Sequence, residues 1–228
     1  GIQRRKSDYR ERPLYNLAMI HAPIPKEELD LFKQLKDLKV IFDVGARTDV
    51  DYLEIWPESE HHLFEPHPLF YGELMKKVGN KPNVHINWFG LGDREEVRGY
   101  QEGLQAFLGS GSCPENGTAD LMLSIKTLDY YIREHEIKRI DFLKIDAEGH
   151  DLKVLLGATN WFHIIKFIQY EHWGEVNNRM IKGLLSKDFD CVDVGYRNAL
   201  CFNKSLVEAE EQARLKNFIV DNKYGELI

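Results

Sequence analysis

The sequence predicts an open α/β sheet with mostly parallel central strands and an antiparallel β-hairpin at its C-terminal end. Three observations carry this reading. Short, continuous apolar runs rich in β-branched and aromatic residues (VIFDV at 40–44, DFLKI at 141–145, IIKFIQY at 164–170) have the look of strands buried on both faces. Segments with helical spacing of apolar residues alternate with those runs, the pattern of βαβ units. Near the end, Phe189–Val194 and Ala199–Phe202 are two strand-like runs joined by Gly195-Tyr-Arg-Asn198, a plausible hairpin.

Size and composition bound the rest. The chain has 228 residues with 43% hydrophobic and 29% charged residues, a globular composition suited to one domain with a small appendage. Lys and Arg number 30 against 37 Asp and Glu, so the net charge of −7 has the wrong sign for a general nucleic-acid binder. Cys113, Cys191 and Cys201 are odd in number and lack CxxC spacing, which argues against a disulfide framework or zinc site and fits the reducing cytoplasm. There is no 18-residue apolar run, and no membrane span is expected.

Read in order, residues 1–12 form a basic arm (Arg4, Arg5, Lys6, Arg10, Arg12), expected to be a solvated tail. Leu14–Ile20 is a short apolar segment broken by two prolines, and Lys26–Leu38 carries Leu29, Phe32, Leu35 and Leu38 at three-residue steps, a helix with one buried stripe. Residues 1–37 are therefore an N-terminal helical extension, and 38–228 the main domain. Strands follow at 40–44, 61–65 and 84–89, with a helix at Leu69–Val78 and a tight turn at Gly90–Asp93. Val97–Tyr100 can pair back as a short antiparallel strand. The Gly/Ser/Pro-rich stretch 102–118, which includes Phe107 and Cys113, reads as a long loop and a candidate lid. Then come a strand at Leu121–Ile125, a helix capped by Thr127, a strand at 140–146, a helix at Glu148–Leu156 and a strand at 164–171. Helices at Asn177–Ser186 and Leu206–Val220 flank the hairpin.

An open parallel sheet binds ligands beyond the carboxyl ends of its strands. Five of those ends carry an acid: Asp43-Val-Gly45-Ala46, Glu65-Pro66, Gly92-Asp93, Asp146-Ala-Glu148-Gly-His150 and Glu171-His172. Converging carboxylates demand a ligand rich in hydroxyl donors and carrying positive charge. Glu65 lies 22 residues after Asp43, the place of the acid that binds ribose hydroxyls in dinucleotide-type folds. The turn DVGARTD has only Gly45, too few glycines to cradle a pyrophosphate, so NAD and FAD are disfavoured. S-adenosylmethionine, with a ribose, an amino acid and a sulfonium, meets the demand. His61, His62 and His67 fall within seven residues, but His61 and His62 point to opposite faces of a strand, so no metal site is expected.

DVGA at 43–46, FEP at 64–66, LGD at 91–93, TLD at 127–129 and above all DFLKIDAEGHDLKVLLGA at 141–158 resemble the FkbM family of S-adenosylmethionine-dependent methyltransferases, over roughly residues 38–173. The resemblance implies a Rossmann-like, seven-stranded sheet with helices on both faces. It places Asp43, Gly45 and Ala46 along the methionine part of the cofactor, Glu65 and Pro66 at the ribose, and Gly92 and Asp93 at the adenine. Asp146 falls beside the methionine moiety and the transferred methyl. It further implies O-methylation of a sugar or small-metabolite hydroxyl, and the acidic strand ends suit a neutral polyol or sugar better than a nucleic acid, which is not expected as a partner. At the first turn the family usually shows GANxG where this chain has Gly45-Ala-Arg47-Thr-Asp49. Arg47 either pairs with the cofactor carboxylate or fills the space, and the second case would leave a non-catalytic binding or scaffold module. The groups that could take the acceptor proton are Asp146, Glu148, His150, Glu171 and His172; Asp146 and Glu148 are expected to orient cofactor and acceptor, with His150 or His172 as the base.

Overall fold

A computed structural model describes residues 26–48, 50–110, 113–195, 197–222 and 224. The basic arm, the apolar segment at 14–20 and Asp49 lie outside the described residues.

The main sheet has seven strands: β1 (Val40–Val44), β2 (Glu60–Phe64), β3 (Val84–Asn87), β8 (Ile140–Ile145), β9 (Ile165–Glu171), β10 (Phe189–Asp193) and β11 (Asn198–Asn203). Their order is β10-β11-β9-β8-β1-β2-β3. The five from β9 to β3 run parallel, and β11 pairs antiparallel with both β9 and β10. This is the Rossmann-like arrangement with a terminal hairpin that the sequence implied.

Alternation along the central strands explains why both faces are covered. Phe42, Val44, Leu143 and Ile145 point to one face, against α4 (Leu128–Glu134) and α5 (Asp151–Leu156). Ile41 and Phe142 point to the other, where they meet Leu31, Phe32, Leu35 and Leu38 from α1 (Lys26–Phe32) and the turn after it, and Leu215 and Ile219 of α7 (Ala209–Asp221). A third cluster buries Leu74 and Val78 of α3 (Pro68–Val78) against Leu63 of β2. Two further helices, α2 (Asp51–Ile55) and α6 (Gly174–Leu185), complete the frame.

A second sheet departs from the sequence reading. The expected turn at Gly90–Asp93 begins with β4 (Gly90–Leu91), and the expected main-sheet strand at 121–125 is β7 (Leu121–Lys126), which pairs with β4. With β5 (Glu96–Gln101) and β6 (Ala106–Phe107) they make a four-stranded sheet ordered β4-β7-β5-β6. The reason is visible in β7: Leu123 and Ile125 are buried while Met122 and Ser124 are exposed, so one face is solvated and no helix layer covers it. The 102–118 stretch is therefore not one open loop. Arg98 of β5, itself buried, holds it with bonds to the Leu108 carbonyl and, at 2.7 Å, to Glu115.

The cysteine reading is also corrected. Cys191 and Cys201 are register partners across β10 and β11 and form a disulfide. The expectation of free thiols, and of a reducing compartment inferred from them, loses its basis; Cys113 alone is free and buried. No helix among the described residues is long and apolar enough to cross a membrane.

Candidate active site

From the adjacent strands β1 and β8 the sheet extends outward in opposite directions, so a crevice opens beyond their carboxyl ends. The turns there are tightly joined. The Asp146 N–H donates to the Val44 carbonyl at 3.0 Å, and the Gly45 N–H to that of Phe64 at 3.0 Å. Gly45 has φ +77°, and a Cβ on it would lie 1.9 Å from the Asp146 carbonyl oxygen, so only glycine fits. Arg47 and Glu148 are also left-handed, at φ +48° and +51°. Non-glycine residues in that region cost about 1 kcal/mol each, and the two turns that frame the crevice each hold one.

The resulting cleft encloses about 670 Å³ including its mouth. Val44, Phe64 and Leu91 give it an apolar floor, Tyr100 and Phe107 of the second sheet form a wall, and Gly45, Arg47, Glu65, Pro66, Asp146 and Glu148 bring the polar chemistry. Those last six are sequence-predicted site residues that the fold brings together. The others lie elsewhere. Asp43 points to the opposite face and pairs with Lys144 at 3.0 Å, and Lys144 in turn donates to the Gly45 carbonyl at 3.1 Å. Asp43 thus braces the turn from beneath rather than lining the cleft. Ala46 is buried against α3, Gly92 follows β4, and Asp93 is exposed beyond it. His150 is buried against the Phe107 ring, its nitrogens unpartnered among the described residues. His172 is anchored through its backbone to Arg197. Neither histidine lines the cleft.

Glu65 is the best-fixed group. Its Oε2 accepts from the Arg47 N–H at 2.8 Å and its Oε1 from the His67 N–H at 2.7 Å. Burial still pushes its pKa up to about 7, although the two amides oppose that shift. The Arg47 guanidinium lies over the Phe70 ring, 5.1 Å from its centroid. Behind Asp146 and Glu148, at the end of β9, burial raises the pKa of Glu171 to about 7, reinforced by those two acids. Asp151, fully buried beside the same groups, is raised well above the usual carboxylate range and accepts from the Glu171 N–H at 3.2 Å. The histidines shift the other way: burial lowers His150 to about 4 and also depresses His172. A lowered pKa makes an imidazole a weaker acceptor for the proton of a hydroxyl.

Sequence reasoning passed over Phe70, Tyr100 and Asp151. Phe70 was signalled by the helix start at His67-Pro68, since His67 Nδ1 accepts from the Leu69 N–H at 3.3 Å and turns the next residues to the cleft. Tyr100 depends on the second sheet and had no local signal, whereas Phe107 lies in the stretch read as a candidate lid.

Against known proteins, the profile described as the methyltransferase FkbM domain matches residues 43–191. A curated relative, the hexuronic acid methyltransferase AglP of Haloferax volcanii, is 24% identical over 160 residues. That alignment covers 69% of this chain and 65% of the relative. Among solved structures, the methyltransferase FkbM from Methylobacillus flagellatus KT superposes with a TM-score of 0.53 at 14% identity, over 72% of this chain and 43% of that one. The last is a likeness of fold. The profile match spans well over half of the chain and takes in both turns of the cleft, so the protein belongs to the methyltransferase FkbM domain family.

Proposed function

We propose that the protein moves a methyl group from S-adenosylmethionine to a hydroxyl oxygen of a neutral sugar or similar polyol. The observation that carries this reading is Glu65, a buried carboxylate with both oxygens oriented by backbone amides at the rim of an apolar-floored cleft. The donor set suits the cofactor: Glu65 as acceptor for ribose hydroxyls, Arg47 for a carboxylate, Asp146 and Glu148 for positive charge, and Phe64 and Leu91 for an adenine. A cradle with one glycine and several acids does not suit a pyrophosphate. Bound there, S-adenosylmethionine supplies an electrophilic methyl carbon on a positively charged sulfur.

The chain's own task is to align, to exclude water and to take one proton. Asp146 and Glu148 set a negative rim that favours the cation and orients an incoming hydroxyl. Glu171, with a pKa near neutrality and Trp173 Nε1 donating to its Oε2 at 3.0 Å, is the better base than either histidine. The AglP relationship supports a carbohydrate acceptor, while the acid rim disfavours a uronate carboxylate and a phosphate-rich polymer alike.

Titration calorimetry tests the first half. S-adenosylmethionine and S-adenosylhomocysteine should both bind, and Glu65→Ala should weaken binding at least tenfold, as expected for a lost charged hydrogen-bond partner. A chain that binds neither ligand would instead be a scaffold, with Arg47 stacked on Phe70 occupying the space. Turnover against matched neutral and uronate sugars tests the second half, with the neutral member expected to be faster.

A further inference from the structure

At the opposite end of β2 from the cleft, three side chains converge. Glu60 and His62 lie two residues apart on one face of β2, and His85 of β3 is the register partner of His62. Glu60 Oε1 is 3.3 Å from His62 Nε2 and 3.1 Å from His85 Nε2, and the three atoms all lie within 4.8 Å of one another. Five residues of strand, about 17 Å, separate Glu60 from Glu65.

We propose that Glu60, His62 and His85 form a binding site for one zinc ion. Zinc takes His nitrogen and carboxylate oxygen at about 2.0–2.2 Å in a tetrahedron, whose edges are then about 3.3 Å long. The two Glu60 distances match that edge. The side chain of His62 is 3% exposed, yet its Nε2 makes no hydrogen bond among the described residues and faces Glu60 and His85. Its other nitrogen, Nδ1, lies 2.8 Å from the Tyr131 hydroxyl. With the ring hydrogen on that side, Nε2 offers its lone pair to an ion, the second-shell arrangement typical of ligating histidines. The His62 and His85 rings stack with centroids 4.7 Å apart, which fixes their relative placement. Glu60 and His85 are about half exposed, so an ion has an entry path and room for a water as fourth ligand. An ion here would tie the edge strand β3 to β2. His61, His62 and His67, close in the sequence, do not meet: His61 binds the Trp56 carbonyl on the other face, and His67 sits at the start of α3.

The test is zinc titration of the full chain in competition with a chromophoric chelator, repeated with cobalt to read coordination from its visible spectrum. The wild type should bind one zinc and give an intense four-coordinate cobalt spectrum. His85→Ala and Glu60→Gln, both at accessible positions, should each weaken zinc about 100-fold or more, beyond the usual cost of losing a second-shell partner, and abolish that spectrum. Glu148→Gln, at the cleft, should leave binding unchanged. Absence of zinc binding by the wild type, wild-type affinity in either His85→Ala or Glu60→Gln, or loss in Glu148→Gln would overturn the site.

Discussion

Glu171 lies among Asp146, Glu148 and Asp151, and each of those acids makes its ionisation harder or shares its surroundings. A base must be ionised to act, so kcat should rise with pH through about 7 and then level off. Glu171→Gln should lower kcat on the order of 100-fold and remove that limb, while the KM for S-adenosylmethionine changes little. Pre-steady-state and pH–rate measurements would read both, and an unchanged limb would exclude Glu171 as the base. His150 titrates in the opposite sense. Its folded pKa, about 4, is depressed from 6.5, so its contribution to stability is complete above 6.5 and declines as pH falls toward 4. His150→Leu should therefore retain about 2 kcal/mol more of its neutral-pH stability at pH 5 than the wild type does. Denaturant melts at the two pH values check this. The acids of the cleft were readable because they stand at strand ends, where side chains have a predictable destination. The histidines were not, since the turn Glu148-Gly149 rotates His150 inward, and two successive left-handed residues have no clear mark beyond the glycine.

Among the elements, the turn after β1 is the most constrained. Gly45→Ala meets both a left-handed backbone and a carbonyl 1.9 Å from the new Cβ, so it should cost several kcal/mol and abolish cofactor binding. Thermal melts and calorimetry on this variant would check it; near wild-type behaviour would mean the two turns are not locked together. The central strands were legible because they are apolar on both faces, and the Thr127 cap was legible because its side chain accepts from the Tyr130 N–H as a capping residue does. The strand β7 misled because its length and apolarity match a main-sheet strand, although the alternation Leu123, Ser124, Ile125 already marked a sheet with one wet face. The Cys191–Cys201 bond had a signal too. The two residues each lie two positions beyond the Asp193–Ala199 pair, so the register of the hairpin sets them opposite each other.

At the scale of the whole molecule, two structures meet at the cleft: a sheet buried on both faces that supplies Glu65 and Asp146, and a smaller one that supplies Tyr100 and Phe107. Phe107→Ala should enlarge the wall side and raise the acceptor KM several-fold, with a far smaller effect on S-adenosylmethionine affinity, as steady-state kinetics and calorimetry would read. Arg98→Leu, which frees the Leu108 and Glu115 attachments, should produce the same pattern together with faster proteolysis of the 108–115 segment. This second sheet was the least legible part of the fold, because its pairings join short strands through long-range contacts and not through local periodicity.

The contact between Gly45 and the Asp146 carbonyl gives the donor half of the cleft no hinge of its own. Evolution of new acceptor preferences within this architecture would then be confined to the outer wall, which can be exchanged or extended like a removable jaw on a fixed vise.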